Sequence, residues 1–298
     1  MKKWMAVLTC LIVNISAGNC QYYFYDATRL EPEWRHEIGI SAGLMNAFTD
    51  LGGKAGIGKR WKDLDWKTAR PAYALSFASC FRDLFSLSVQ LVKGKITAAD
   101  STLKNDRSEG RLRYLRNLHF TSQVYEGSLL LEGYPFGWFT QRSYSYNPYL
   151  IAGIAIFHFQ PKAVAFGHWV KLQPLHTEGE GFPEYPERKQ YSLVQLALPV
   201  GIGIKRELSA LAILKLEALY RFLFTDYLDD VSSTYIDPDL FEAHLEPSQA
   251  LLAKYLADRN LDSGQTTAGA IRGNRKKNNS YFTFMVKLGF VLNRRRIR

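Results

Sequence analysis

From Trp34 onward the chain alternates. Ile38, Ile40, Ala42 and Leu44 interleave with Glu37, Gly39, Ser41 and Gly43, a period of two that predicts a strand with one aliphatic face and one small or polar face. Tyr73, Leu75 and Phe77 alternate with Ala72, Ala74 and Ser76. After Arg82-Asp83 the series Phe85, Leu87, Val89, Leu91 alternates with Ser86, Ser88 and Gln90, so the two runs read as a hairpin. Between 116 and 132 the apolar positions start at Leu118, Phe120 and Val124 and then move to Gly127, Leu129 and Leu131, with Glu126 and Ser128 opposite. A β-bulge is the expected repair of that slip.

The second half behaves likewise. Tyr149 to Phe159 is apolar on both faces. Val194, Leu196, Leu198, Val200, Ile202 and Ile204 oppose Gln195, Ala197, Pro199, Gly201 and Gly203, with Pro199 at odds with a ladder. Leu214, Leu216, Ala218, Tyr220, Phe222 and Phe224 oppose Lys215, Glu217, Arg221 and Thr225. Phe282, Phe284, Val286, Leu288, Phe290 and Leu292 oppose Thr283, Lys287 and Gly289. Eight strands are predicted. The connections between them are long or medium at about 50–70, 96–115, 133–146, 160–189 and 226–279, and short at 82 and 206–209.

Alternating long and short connections, an apolar exterior and inward charges are the arrangement of an eight-stranded antiparallel transmembrane β-barrel with long extracellular loops. In a soluble barrel the faces would exchange, with Lys215, Glu217 and Arg221 in water. A closed eight-stranded barrel is too narrow for so many bulky inward side chains. Near-helical spacing of Leu240, Leu245, Leu251, Leu252, Tyr255 and Leu256 predicts a short amphipathic helix over about 247–259, packed on the barrel mouth.

The first twenty residues follow another logic. Lys2 and Lys3 precede an apolar stretch from Trp4 to Val13 and the small residues Ser16-Ala17-Gly18, the plan of a secretory signal peptide over 1–20. Acylation of Cys20 is the competing reading, and Asn19 fits it poorly. The barrel domain is then 21–298, exported and integral to the outer membrane. Beyond residue 20 no run of about 18 apolar residues predicts a membrane helix.

Composition agrees with an aromatic-girdled barrel: 17 Tyr, 18 Phe and 6 Trp accompany 22 Gly. The formal charge of +10 includes Lys2 and Lys3, leaving +8 after residue 20. This charge is spread over loops and the tail Arg294-Arg295-Arg296-Ile297-Arg298, which argues against nucleic acid as a partner. Basic outward loops suit lipopolysaccharide phosphates and outer-membrane lipid. Of the three cysteines only Cys80 lies beyond the signal, so no disulfide framework is expected.

Candidate chemistry is sparse. Asp226, Asp229 and Asp230, with Glu178 and Glu180, offer hard oxygen ligands for a cation, in a spacing unlike any EF-hand. The plainer expectation is that the three aspartates cap a strand end and bond nearby backbone or Arg272. Six scattered histidines stand near no serine or acid in a catalytic motif, and no phosphate loop or Cys/His metal spacing occurs. No catalytic residue and no cofactor is predicted.

The run Phe224-Thr225-Asp226-Tyr227-Leu228-Asp229-Asp230-Val231-Ser232-Ser233-Thr234-Tyr235 resembles a motif of the PorG family, the outer-membrane barrel component of the type IX secretion system. Glu37-Ile38-Gly39, residues 148–163, Trp169 to Leu175, Thr177 to Gly181 and Arg272-Gly273 are similar too, so the resemblance spans most of the chain after residue 20. It implies a non-enzymatic barrel that anchors or assembles a periplasmic ring of PorK/PorN-like proteins. The chain departs from many such barrels in ending on arginines and not on an aromatic residue. The aromatic connection 133–147, with Trp138 and Phe139 at its centre, and the basic tail Arg294, Arg295 and Arg296 are the candidate partner-binding surface. An interfacial girdle is the alternative for Trp138 and Phe139. Alternatives for the whole chain are a barrel hydrolase acting on lipid or a small porin.

Overall fold

A computed structural model describes residues 29–30, 32–52, 68–104, 109–139, 146–262, 264 and 266–296; the side chains of Arg29, Leu30, Glu109, Phe139, Arg295 and Arg296 are not described. The expected signal peptide and Cys20 lie outside the described residues. Eight long strands form the body: β1 Trp34–Phe48, β2 Arg70–Phe81, β3 Phe85–Ala99, β4 His119–Gly133, β5 Asn147–Ala165, β6 Val194–Glu207, β7 Ala212–Leu223 and β8 Ser280–Val291. Each pairs antiparallel with its neighbours in sequence, and β8 closes on β1. The result is a closed up-and-down barrel.

The ladders fix its geometry. From His158 on β5, successive partners are Tyr125, Lys93, Tyr73, Ala42, Val286, Leu216 and Ile204, and the circuit returns to β5 at Pro148, ten residues from its start. That stagger tilts the strands by about 40° and leaves an interior that side chains fill. A hairpin strand, His168–Lys171, extends the sheet beside β5, and Arg29–Leu30 pairs with Arg295–Arg296 below the β1–β8 seam. The long connections all emerge at one end. The turn 82–84, the connection 134–146, the turn 208–211 and both ends of the described chain lie at the other.

The bulge expected in β4 is not there. Its register holds without a break from Ala99↔His119 to Phe85↔Gly133 on one side, and from Thr121↔Lys162 to Gly133↔Leu150 on the other. What changes is the lumen. Phe120 and Val124 point inward among Met45, Val92, Ile96, Phe157, Phe159 and Met285, whereas Glu126, Ser128 and Glu132 point inward among charges. One face of β4 therefore crosses from an apolar half of the interior to a polar half, and the sequence mimics a slip.

Pro199 is accommodated within β6. Its partner on β7 is Arg221, while the ladder to β5 is interrupted between Ala152↔Val200 and Ala155↔Ala197, where the missing N–H would have donated. Four helices complete the fold: α1 Glu109–Arg116, α2 Pro135–Phe139, α3 Asp239–His244 and α4 Pro247–Ala257. Among the described residues no helix is long and apolar enough to cross a membrane. The α4 helix sits at the barrel mouth, but Ala250, Ala253, Leu256 and Ala257 turn inward while Leu251 and Tyr255 face out. Small alanines let the helix lie close to the loops beneath it, and Leu252, with Leu240 and Leu245, packs against the same core.

Candidate functional site

The polar half of the lumen is a sequence of ion pairs. Arg221 Nε and Nη2 reach Glu126 at 3.1 and 3.2 Å, and the Tyr281 hydroxyl donates to the same carboxylate at 2.5 Å. Lys215 Nζ lies 3.1 Å from both Glu37 and Glu132, and Lys287 Nζ lies 2.6 Å from Glu217. Tyr134 and Tyr149 donate to Glu132 and Glu217 at 2.7 and 2.8 Å. At the short-turn end Arg35 bonds Glu37 and Asp83, and Lys205 joins Asp83 at 2.6 Å. Arg35, Lys205, Lys215, Arg221 and Lys287 are thus matched by Glu37, Asp83, Glu126, Glu132 and Glu217. Lys215, Glu217 and Arg221, singled out in the sequence, all lie inside this network.

Backbone space makes the network possible. A Cβ on Gly203 would stand 2.3 Å from the Tyr149 ring, so only glycine lets that ring cross the lumen and deliver its hydroxyl to Glu217. Paired charges in a low-dielectric interior attract strongly. With the apolar cluster above them they line the lumen, where the side chains of Ser41, Ser86, Ser88 and Gln90 and one Glu217 oxygen have no hydrogen-bond partner among the described residues.

The short-connection end carries the aromatic connection. Tyr134 is buried, its ring 5.1 Å from Tyr149 and under the Lys205 ammonium. Trp138 is different: its indole N–H donates to the Leu84 carbonyl at 2.8 Å, yet the residue is 54% exposed. Phe136 and Tyr146 are exposed beside it, and Arg206 bonds the Tyr146 hydroxyl at 2.8 Å. Trp34, Phe81 and Phe85 form an aromatic cluster at the same rim, with centroids 5.0 to 5.9 Å apart. Arg294 is held on the barrel, 3.1 Å from both Glu207 oxygens and donating to the Ala210 carbonyl. Arg295 and Arg296 extend from it in the small pair with Arg29–Leu30.

The opposite end is an ordered cap centred on Glu178. Its carboxylate accepts from the Ser232 N–H at 2.9 Å, the Ser233 N–H at 2.8 Å, the Ser233 hydroxyl at 2.6 Å and Arg272 Nη1 at 2.9 Å. Arg272 also donates to the Asp230 and Ala257 carbonyls, and Arg188 to the Glu178 and Thr234 carbonyls. The Asp-rich run does not converge. Asp226 accepts from the Ser232 hydroxyl, Asp229 from Asn279, and Asp230 from Thr177 and Tyr191; the hydroxyl of Thr225 accepts from the Tyr227 N–H. Among the described residues no three His, Cys, Asp or Glu groups are placed to hold a metal ion. Burial and the charges of Asp230 and Glu178 push the Glu180 carboxyl up to about 8, and burial pushes Asp230 up to about 6 against the pull of Arg272.

Sequence reasoning missed the contact of Glu178 with Arg272, which no periodicity encodes, and the lumen tyrosines, which read as apolar. It also missed one pair that bears on a hydrolase. Ser79 Oγ lies 2.7 Å from His36 Nδ1 on the outward face of β1 and β2. Among the described residues no acid orients that imidazole, and Asn293 is occupied by the His36 N–H and the Trp34 carbonyl. The strand N–H groups around Ser79 are committed to the ladder, so no oxyanion site adjoins it.

No family model and no curated protein matches the sequence. Solved structures of similar fold exist. Neisserial surface protein A is 8% identical, with 88% of this chain and 98% of that one covered and a TM-score of 0.41. The attachment invasion locus protein Ail of Yersinia pestis is 8% identical, with 88% and 100% covered and a TM-score of 0.38. OprG of Pseudomonas aeruginosa is 13% identical, with 86% and 96% covered and a TM-score of 0.37. All are small outer-membrane proteins.

Proposed function

We propose that this chain is a non-enzymatic outer-membrane barrel that anchors or assembles the periplasmic ring of a type IX protein secretion machinery. The observation that carries the reading is the pairing of a lumen crossed by matched ion pairs with an exposed aromatic at the short-connection end. Matched charges crossing the lumen suit a scaffold, and Trp138 is fixed in place yet presents more than half its surface at the end that this reading gives to the periplasm. The resemblance of the 224–235 run supports the assignment to this machinery. In that reading the Asp-rich run builds the outer cap, and the ring is gripped at the far end by Trp138, Phe139 and the arginines after Arg294. A lipid hydrolase is disfavoured by the lone His36–Ser79 contact.

The test is replacement of Trp138 and Phe139 by Ala in cells that carry the secretion system. The barrel is expected to stay inserted and heat-modifiable on gels while co-purification of the ring proteins and protein export fall. Deleting 295–298, which spares the Arg294–Glu207 pair, is expected to make co-purification more salt-sensitive. If both variants keep full co-purification and export, the anchoring role is wrong.

A further inference from the structure

The outward faces of β3, β4 and β5 change character toward the long-connection end. The rows Val89–Leu129–Ile154 and Leu91–Gly127–Ile156 are apolar. The next rows are Lys93–Tyr125–His158, Lys95–Gln123–Gln160 and Thr97–Thr121–Lys162, and Lys162 pairs onward with Lys171 of the hairpin strand. The Lys93 ammonium lies 5.6 Å from the Tyr125 ring centroid, and that of Lys95 lies 5.9 Å from Trp169. No Asp or Glu occupies an outward position on these three strands. Among the described residues Lys93, Lys95, Lys162 and Lys171 have no carboxylate partner. The opposite wall differs, with Tyr220, Phe222 and Phe224 outward toward the same end.

Below the lysines lies the apolar wall; above them stand aromatics. Trp169 is 56% exposed, and Phe166 stacks on Tyr255 of α4 at 4.7 Å, with Leu251 outward on the same helix. Along the strands the cationic rows extend for ~13 Å, longer than a single phosphodiester headgroup. A lipid-facing Lys is costly at the bilayer midplane and much less so near the interface, so four of one sign on one wall call for an anion at headgroup level. The order from the membrane outward is apolar wall, cations, aromatic shelf.

We infer that Lys93, Lys95, Lys162 and Lys171 bind the phosphates of an outer-leaflet glycolipid whose acyl chains lie along Val89, Leu91, Ile154 and Ile156 and whose sugar rests on Trp169. The inference depends on the membrane placement above and not on the ring role, because it concerns the opposite end of the barrel.

Native mass spectrometry of the detergent-purified, heat-modifiable barrel tests it, with bis-phosphorylated lipid A, dephosphorylated lipid A and phosphatidylglycerol as probes. Lipid A is expected to bind more tightly than either other lipid. Changing all four lysines to Gln should weaken it by at least about tenfold, since each basic group near an anionic surface adds to the attraction. The corresponding Arg variant should retain binding, and Trp169→Ala should weaken both forms of lipid A and leave phosphatidylglycerol unchanged. Equal binding of phosphatidylglycerol or dephosphorylated lipid A to the unaltered barrel, or full retention by the Gln variant, overturns the proposal. The lipid comparison on the unaltered barrel decides the matter should the Gln variant fail to fold. Loss of co-purifying ring proteins in the preceding experiment leaves this result untouched, so the two readings fail separately.

Discussion

Arg221 on β7 and Glu126 on β4 grip each other across the lumen through two N–H···O contacts, although no ladder joins their strands. Tyr281 and Thr283 complete the grip from β8. The pair therefore ties together walls that no ladder joins, and both side chains are fully buried.

Removing one side of such a pair leaves an uncompensated buried charge, which typically costs about 3–5 kcal/mol. Glu126→Leu is expected to lower the unfolding temperature in detergent well below that of Leu216→Ala, whose side chain faces outward. Joining Glu126→Leu with Arg221→Met should recover most of the loss, because no charge is then stranded. Thermal shifts of gel mobility measure all three.

Gly203→Ala makes a second test of the interior. The added methyl meets the Tyr149 ring, so refolding yield should fall and the Tyr149–Glu217 contact should break. Tyr149→Leu in the same chain is expected to relieve the clash and restore yield, without restoring full heat resistance.

The cap is expected to respond to pH. The carboxyls of Glu180 and Asp230 are raised to about 8 and about 6 from ordinary values of 4.5 and 3.8. The folded cap thus holds protons that the unfolded loop releases, and its stability falls as pH rises through the window from about 4 to 8. Hydrogen exchange of residues 176–182 and 228–234 should accelerate between pH 5 and pH 8 beyond its intrinsic pH trend (about tenfold per unit). Glu180→Gln should flatten the upper part of that excess, leaving the Asp230 contribution below about pH 6.

Orientation is open to labelling. With Cys80 replaced, cysteines at Lys104 and Lys276 are expected to react with an impermeant reagent on intact cells, and one at Ser209 is not. The reverse pattern would place the long connections in the periplasm.

The strands were legible because alternation is local: a residue and its second neighbour share a face whatever the rest of the chain does. The interior was not equally legible. Phe120 and Glu126 occupy the same face of β4 yet belong to different environments, and the difference depends on which residues arrive from β1, β5 and β8. The cap was hidden for the same reason, since Glu178 and Arg272 meet only after two long connections fold over the barrel. In α4 the spacing pointed to the packed face in part: Leu252 and Leu256 join the core with Ala250, Ala253 and Ala257, whereas Leu251 and Tyr255 face outward.

Closure of the sheet also makes the interior a property of the whole chain. The seam joins the first strand of the barrel to its last, and Lys287 on that last strand completes the match with Glu217. Without β8, Glu37, Lys215 and Glu217 would line an open trough that water can enter, so a chain halted before residue 280 is an incomplete wall with no inside.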